Sequence, residues 1–189
     1  LSDDWQQKPL VAGQDPKVIV LFAVNKTTNT ALTLGTIKRS ELGDISVFLF
    51  FGIVGVFGSF FLQTKSWDWQ IILPAISCGL FATGVLNVNN IRDIESDQLA
   101  GKFSIPVRIG RSKAVIYHFI ILSAAMLSAF FFGLINFQHW SSFLFVLSFP
   151  LFAKNFWAVK TKTDPIQLDP FLKQLALSTL LFVALFGAG

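Results

Sequence analysis

Charged residues and cysteine are both scarce in this sequence, and each scarcity narrows the class of protein. Only 14% of the 189 residues are charged, whereas 53% are hydrophobic and the mean hydropathy is +0.61. A water-soluble fold could not bury that much apolar surface. The single cysteine, Cys78, excludes a disulfide framework and a thiolate metal cluster within the chain. No signal peptide opens the sequence, which begins with Leu1, and we expect a fragment or a trimmed product.

Four long stretches without a charged residue run through the sequence, at 45–64, 69–91, 114–153 and 174–189. A helix needs about 20 apolar residues to cross a bilayer. The third stretch is long enough for two helices, because its centre carries polar and aromatic residues typical of a turn at the membrane surface. Backbone amides in lipid must be satisfied within the segment, and the alternation of barrel strands is missing. We therefore predict an all-α bundle of about five transmembrane helices, at 45–63, 70–91, 114–134, 140–158 and 173–189.

Basic residues are distributed unevenly over the predicted loops. With loops assigned to alternating sides of the membrane, fourteen of the 15 Lys and Arg residues fall on one side and Lys65 alone on the other. This asymmetry predicts that the basic side is cytoplasmic. The net charge of +4 follows from the same bias, so we expect anionic lipid or an anionic substrate group at that surface, and no nucleic acid.

Residues 1–40 differ in character from the rest of the sequence. Their one continuous apolar run, 18–24, is too short to cross a membrane. We interpret this region as an atypical N-terminal arm or the remnant of a longer architecture. Further along, two Asp-Pro pairs at 164–165 and 169–170 predict a loop before the last helix, because proline disfavours a helical conformation in the preceding residue.

A polar segment, from Asn87 to Lys102, follows directly on the second predicted helix. If the helix continues through it, Asn90, Asp93 and Asp97 share one face, because they are separated by three and four residues. Two carboxylates in a low-dielectric setting repel each other unless a cation lies between them. Hard oxygen ligands suit Mg²⁺, which completes its coordination with water and substrate phosphates. The segment therefore predicts a Mg²⁺ site beside a place for phosphate groups.

Several cations follow the carboxylates on the same side of the membrane: Lys102, Arg108, Arg111 and Lys113. Basic groups around metal-bound carboxylates are typical of a receptor for a diphosphate. The competing interpretation is that juxtamembrane Asp, Lys and Arg only mark where a helix leaves the bilayer. A membrane transporter is another alternative, because intramembrane Asn and Asp can line an ion path. The clustering of these residues at one helix end favours chemistry on an anionic group.

A set of short motifs in the sequence also occurs together in one family. The motifs are Gly43-Asp44-Ile-Ser-Val47, Leu86-Asn87-Val-Asn89-Asn90, Arg92-Asp93-x-x-x-Asp97, Gly101-Lys102 and Val107-Arg108-Ile-Gly110. With them, residues 38–189 resemble the UbiA superfamily of membrane prenyltransferases, and within it the branch that acts on 1,4-dihydroxy-2-naphthoate in menaquinone synthesis. The resemblance implies that 41–189 is the C-terminal portion of a bundle of about nine helices. It also implies a bacterial inner (plasma) membrane, with the active-site loops on the cytoplasmic side.

The resemblance further implies a reaction and the residues that carry it. A polyprenyl group would pass from an allylic diphosphate to 1,4-dihydroxy-2-naphthoate, giving demethylmenaquinone. Asp93 and Asp97 would be catalytic and would hold Mg²⁺ and the prenyl diphosphate, with Asn90 assisting them as a metal ligand and substrate contact.

Five more residues receive roles from the same resemblance. Lys102 and Arg108 would contact the diphosphate. Lys38 and Asp44 would flank the substrate cavity, the first as a binding residue and the second as a catalytic one. Arg92 falls off the face of the two motif aspartates, so a substrate-binding role competes evenly with a structural or lipid-facing one.

Residues 1–40 lack the family's earlier aspartate motif, of the Asn/Asp-x-x-x-Asp type, and Leu34 stands where the family has tyrosine. These departures leave a non-catalytic fragment as an alternative. Within the enzyme interpretation, 4-hydroxybenzoate and homogentisate are alternative acceptors.

Two other features are interpreted as packing. His118 lies alone in the third predicted helix and indicates no metal site, because no second ligand stands at helical spacing. Small residues in the first predicted helix indicate close helix contact: Gly52, Gly55 and Gly58.

Overall fold

The computed structural model describes residues 43–189 and three strands of the preceding segment. The strands Trp5–Gln7, Ile19–Asn25 and Ala31–Ile37 form an antiparallel sheet in sequence order. From residue 43 onwards every regular element is a helix.

Five helices of the described part are long and apolar enough to cross a membrane: Gly43–Thr64, Trp69–Arg92, Arg111–Ile135, Trp140–Thr161 and Pro165–Ala188. We call them the first to fifth spans. The first four lie close to the predicted positions and the fifth begins earlier than predicted, so the prediction of an all-α transmembrane bundle is confirmed over residues 43–189. Two short helices, Ile94–Leu99 and Ile105–Ile109, connect the second span to the third.

Three of the spans change helix type along their length. In the first span, a π-helical stretch separates two α-helical ends, and the second and fourth spans each begin as a 3₁₀ helix. The first span consists of Gly43–Val47, Phe48–Phe57 and Gly58–Thr64. The second consists of Trp69–Ile71 and Ile72–Arg92, and the fourth of Trp140–Ser148 and Phe149–Thr161.

The first and second spans touch through their backbones at a pair of glycines. A Cβ atom added to Gly52 would lie 2.6 Å from the carbonyl oxygen of Ala75, and one added to Gly79 would lie 2.8 Å from that of Phe48. Only glycine permits such an approach between membrane helices. The packing interpretation therefore holds for Gly52, whereas a Cβ on Gly58 would meet nothing within 4 Å.

The fifth span begins at Pro165, so the predicted loop up to residue 172 was wrong. Proline is well accommodated in the first turn of a helix, where its missing N–H group has no partner to lose. Asp164 caps this turn, because its side chain accepts a hydrogen bond from the backbone N–H of Ile166 at 2.9 Å. Pro170 lies inside the helix at the cost of one backbone hydrogen bond.

The described core combines stacked aromatic rings with a buried polar chain. Phe81 of the second span stacks on Phe152 of the fourth, with ring centroids 4.3 Å apart. His118 of the third span is fully buried and lies 3.1 Å from Asn155 Oδ1 through its Nε2. Asn155 then donates from Nδ2 to Gln174 Oε1 at 2.8 Å. His118 is therefore a packing residue, as predicted, but it also bonds the third span to the fourth, and Asn155 extends the link to the fifth.

Candidate functional site

The ends of four spans meet where the predicted basic loops lie. Arg92, at the end of the second span, forms a salt bridge of 2.8 Å with Asp169 near the start of the fifth. Arg111, at the start of the third span, donates to the carbonyl oxygens of Val159 and Lys162 at the end of the fourth. We call this end of the bundle the basic end.

A three-residue cluster of Asn90, Asp97 and Lys102 forms at the basic end. Gly101 has a positive φ of 68°, which reverses the chain just after the short helix Ile94–Leu99. The turn brings the Lys102 N–H group to the Asp97 carbonyl oxygen at 2.8 Å. It also places Lys102 Nζ 2.8 Å from Asp97 Oδ2 and 3.3 Å from Asn90 Oδ1. Two oxygen atoms from different helices thus converge on one cation.

The Asp97 carboxylate is the buried member of this cluster. Only 11% of its side chain is exposed, against 46% for Lys102. Ser104 also approaches it, with Oγ 3.3 Å from Oδ2. A buried carboxylate needs a cation to offset the loss of hydration. Lys102 meets this need from the solvent side, where an incoming anion can also reach it.

The chemistry of this donor set fits a divalent cation that is shared with a substrate phosphate. Asp97 and Asn90 supply hard oxygen atoms that already converge on positive charge. Mg²⁺ binds proteins through one or two carboxylates and takes its other ligands from water and phosphate. Within residues 43–189, no group of three His, Cys, Asp or Glu side chains is placed to hold a metal on its own.

Asp93 belongs to a different set of contacts, which we call the Arg92 clamp: Arg92, Asp93, Asn89 and Asp169. Arg92 binds both Asp93 oxygens, from Nε at 2.7 Å and from Nη2 at 2.9 Å. It also donates to Asp169 at 2.8 Å and to Asn89 at 3.0 Å. Hydrogen bonding to Arg92 holds the pKa of Asp93 below its usual value, although partial burial opposes this shift. Because the protein engages all three guanidinium nitrogens, the geometry favours the structural role for Arg92.

The expected single face of Asn90, Asp93 and Asp97 is interrupted in the structure. The second span ends at Arg92, and Asp93 has φ −96° and ψ 14° before the next short helix begins. The structure therefore brings Asn90 and Asp97 together around Lys102, while Asp93 pairs with its neighbour Arg92. The metal set that includes all three residues stays a prediction.

The other predicted residues that the structure describes make separate contacts. Arg108 lies in the short helix Ile105–Ile109, and its Nε donates to the carbonyl oxygen of Phe103 at 3.0 Å. Asp44 lies in the first turn of the first span, is 8% exposed, and accepts a hydrogen bond of 3.0 Å from the Tyr117 hydroxyl. Lys38 lies outside the described residues.

Three partners of the predicted residues were missed from the sequence: Ser104, Tyr117 and Asp169. Ser104 lies only seven residues from Asp97, within the same polar connection, so a search of that connection for hydroxyl donors would have found it. Tyr117 and Asp169 are 73 and 77 residues from their partners. No local pattern in the sequence links positions so far apart.

A bundle of apolar helices with a carboxylate, an amide and an ammonium group at one end defines a polytopic membrane protein with a site for charged ligands. The chain belongs to the UbiA prenyltransferase family, whose model matches residues 10–186. It is 48% identical over 148 residues to a 1,4-dihydroxy-2-naphthoate octaprenyltransferase of Haemophilus influenzae, which is 78% of this chain and 48% of that protein. The protein of the same description in Escherichia coli is 40% identical over the same shares.

A more distant relative is the UbiA prenyltransferase domain-containing protein 1 homolog of Drosophila melanogaster. It is 33% identical over 97 residues, which cover 51% of this chain and 27% of that protein. The chain spans about half the length of the first two relatives. No solved structure matches the chain.

Proposed function

We propose that this chain is part of a membrane enzyme that transfers a polyprenyl group from an allylic diphosphate to 1,4-dihydroxy-2-naphthoate. In that reaction the allylic C–O bond breaks and diphosphate leaves. A C–C bond forms to the aromatic ring, whose carboxylate leaves as carbon dioxide, and the product is demethylmenaquinone in its reduced, hydroquinone form. Family membership and the names of the two bacterial relatives support this proposal.

The observation that carries the proposal is the convergence of Asp97 and Asn90 on Lys102 at the basic end. Lys102 is half-exposed, so its ammonium group can turn outwards to a diphosphate oxygen and free the Asp97 and Asn90 oxygen atoms for a metal ion. Arg108 follows it in the next short helix and is proposed as a second diphosphate contact. These cations would stabilise the negative charge that develops as diphosphate departs.

Asp97 and Asn90 would hold Mg²⁺, and Asp93 is proposed as the third member of the set. When bound, Mg²⁺ supplies further positive charge to the diphosphate. Asp44 and Lys38 are proposed to flank the acceptor. We place the basic end on the cytoplasmic side of a bacterial inner membrane, because basic loops are retained on that side.

Prenyl transfer by the purified, membrane-reconstituted chain tests this proposal, with Mg²⁺, an allylic diphosphate and 1,4-dihydroxy-2-naphthoate. Asp97→Asn removes the charge at the point of convergence, and we expect it to lower the rate by about 100-fold or more. Glu95→Gln is the matched control, because Glu95 lies in the same short helix but is exposed. It should leave the rate within about twofold, since its side chain is hydrated.

Each alternative predicts a different outcome in this assay. Full activity of Asp97→Asn would refute the proposed site. Preferred transfer to 4-hydroxybenzoate or homogentisate would overturn the acceptor while leaving prenyl transfer in place. A chain that is inactive alone, but active with the N-terminal half of a bacterial relative, would be part of a larger catalytic unit. Inactivity in both cases would favour a non-catalytic fragment or a transporter.

A further inference from the structure

A second polar site lies at the basic end, where the first and third spans approach the second. Asp44 is buried in the first turn of the first span. Its neighbour Gly43 faces the second span, since a Cβ added there would lie 3.8 Å from Leu86 Cδ2. Leu86 precedes Asn90 by one helical turn, which is about 6 Å along the helix. Asp44 therefore lies at the same end of the second span as the proposed diphosphate site but belongs to a different element.

The third span contributes the hydroxyl group of Tyr117 to this second site. The hydroxyl donates to Asp44 Oδ2 at 3.0 Å. One turn earlier on the same span, the carbonyl oxygen of Ala114 accepts a hydrogen bond from Asn87 Nδ2 at 3.3 Å. Contacts with the first and second spans thus fix the position of Tyr117 along the axis of the bundle. Through this hydrogen bond, the Tyr117 hydroxyl fixes the position of the Asp44 carboxylate relative to the third span.

The charge at this second site differs from that at Lys102. Among the described residues, no lysine or arginine forms a salt bridge with Asp44. A carboxylate repels a diphosphate, but it accepts hydrogen bonds from neutral hydroxyl groups. Its two oxygen atoms offer about four acceptor positions, of which the Tyr117 hydroxyl uses one. The site is therefore built for a ligand that donates hydrogen bonds.

We propose that Asp44 and Tyr117 together bind a phenolic hydroxyl group of the aromatic acceptor. This inference rests on the proposed function, which supplies an acceptor with two such groups. The acceptor hydroxyl donates to the Asp44 carboxylate, and the Tyr117 hydroxyl holds that carboxylate in place. A phenol that donates to a carboxylate gains electron density on its ring. The ring then attacks an electron-poor allylic carbon more readily, so the same contact orients and activates the acceptor.

Calorimetric titration of the full chain in detergent with two naphthoates tests this site without requiring turnover. One ligand is 1,4-dihydroxy-2-naphthoate, and the other is 2-naphthoate, which lacks both hydroxyl groups. We expect the dihydroxy ligand to bind at least about tenfold more tightly, as a hydrogen bond to a charged group provides. Tyr117→Phe and Asp44→Asn should each remove most of this preference, while the affinity for 2-naphthoate changes little.

Asp68→Asn is the matched control, because Asp68 is an exposed residue at the opposite end of the second span. It loses the same charge and should keep the full preference for hydroxylated ligand. Equal binding of both naphthoates by the unmodified chain, or an unchanged preference in Tyr117→Phe and Asp44→Asn, would overturn the proposal. Prenyl transfer measured on the same samples separates the two ideas. Hydroxyl preference without transfer, even when the N-terminal half of a bacterial relative is supplied, would refute the proposed function alone. Transfer without hydroxyl preference would refute the Asp44 and Tyr117 site alone.

Discussion

Replacing Gly52 by alanine tests how closely the first and second spans must approach. The added Cβ would lie 2.6 Å from the Ala75 carbonyl oxygen and 2.9 Å from Gly79 Cα, where ordinary contacts are about 3.5 Å. Both neighbours are backbone atoms, so no side chain can rotate away to make room. The two spans would have to separate by several tenths of an ångström. Overpacking of this kind costs about 1–3 kcal/mol.

Gly58→Ala provides the correction for helix propensity. Gly58 lies in the same span with φ −63°, and a Cβ there would meet nothing within 4 Å. Both substitutions gain about 1 kcal/mol from the better helix propensity of alanine. The difference between the two variants therefore isolates the packing cost at Gly52. We expect a difference of about 1–3 kcal/mol in the free energy of unfolding, measured by reversible denaturation in mixed micelles.

The same contact should matter for activity, because it sets the distance between two parts of the proposed site. Asp44 precedes Gly52 on the first span, and Asn90 follows Gly79 on the second. Prenyl transfer and acceptor affinity should therefore both fall in Gly52→Ala and remain unchanged in Gly58→Ala. If the two variants unfold at the same free energy, the spans do not cross at these glycines, and the reasoning from backbone contact is wrong.

Two further perturbations test the polar contacts. Arg92 lowers the pKa of Asp93, so this carboxylate should stabilise the fold fully above the usual aspartate pKa of about 3.9. The stabilisation should be lost as the pH falls through the lower pKa that Asp93 has in the folded state. Unfolding of Asp93→Asn should accordingly depend less on pH between about 5 and 2 than unfolding of the unmodified chain. Asn155→Leu leaves the buried His118 Nε2 without its partner and should cost about 1–3 kcal/mol in the same denaturation assay. Asn136→Leu, at an exposed helix end, should cost much less.

Features encoded within a few residues could be predicted from the sequence. The positions of the spans follow from the lengths of the segments without charged residues. In a bilayer the backbone groups of such segments must form hydrogen bonds internally, which favours helices. Asp97 and Lys102 are only five positions apart in the sequence, and the turn at Gly101 brings their side chains into contact. The start of the fifth span was missed because proline is read as a helix breaker, whereas Pro165 lies in the first turn behind the cap of Asp164.

Contacts between distant segments could not be predicted in this way. Whether Arg92 is structural or substrate-binding depends on Asp169, which approaches it only when the second and fifth spans pack together. Likewise, the Tyr117 hydroxyl reaches Asp44 only because both spans pack against the second. Spacing along one helix indicates which residues share a face, but it does not indicate which groups face them from other helices.

The two motif aspartates are held by cations that differ in how readily they can be exchanged. Lys102 holds Asp97 through a half-exposed side chain on a turn. An anionic ligand can draw this ammonium outwards by breaking its ion pair with Asp97 and its hydrogen bond to Asn90. Arg92 holds Asp93 through two hydrogen bonds and also binds Asp169, so displacing it would loosen the contact between the second and fifth spans. We infer that diphosphate binding rearranges the Asp97 side of the motif first, whereas Asp93 can join the metal site only by giving up its contacts with Arg92.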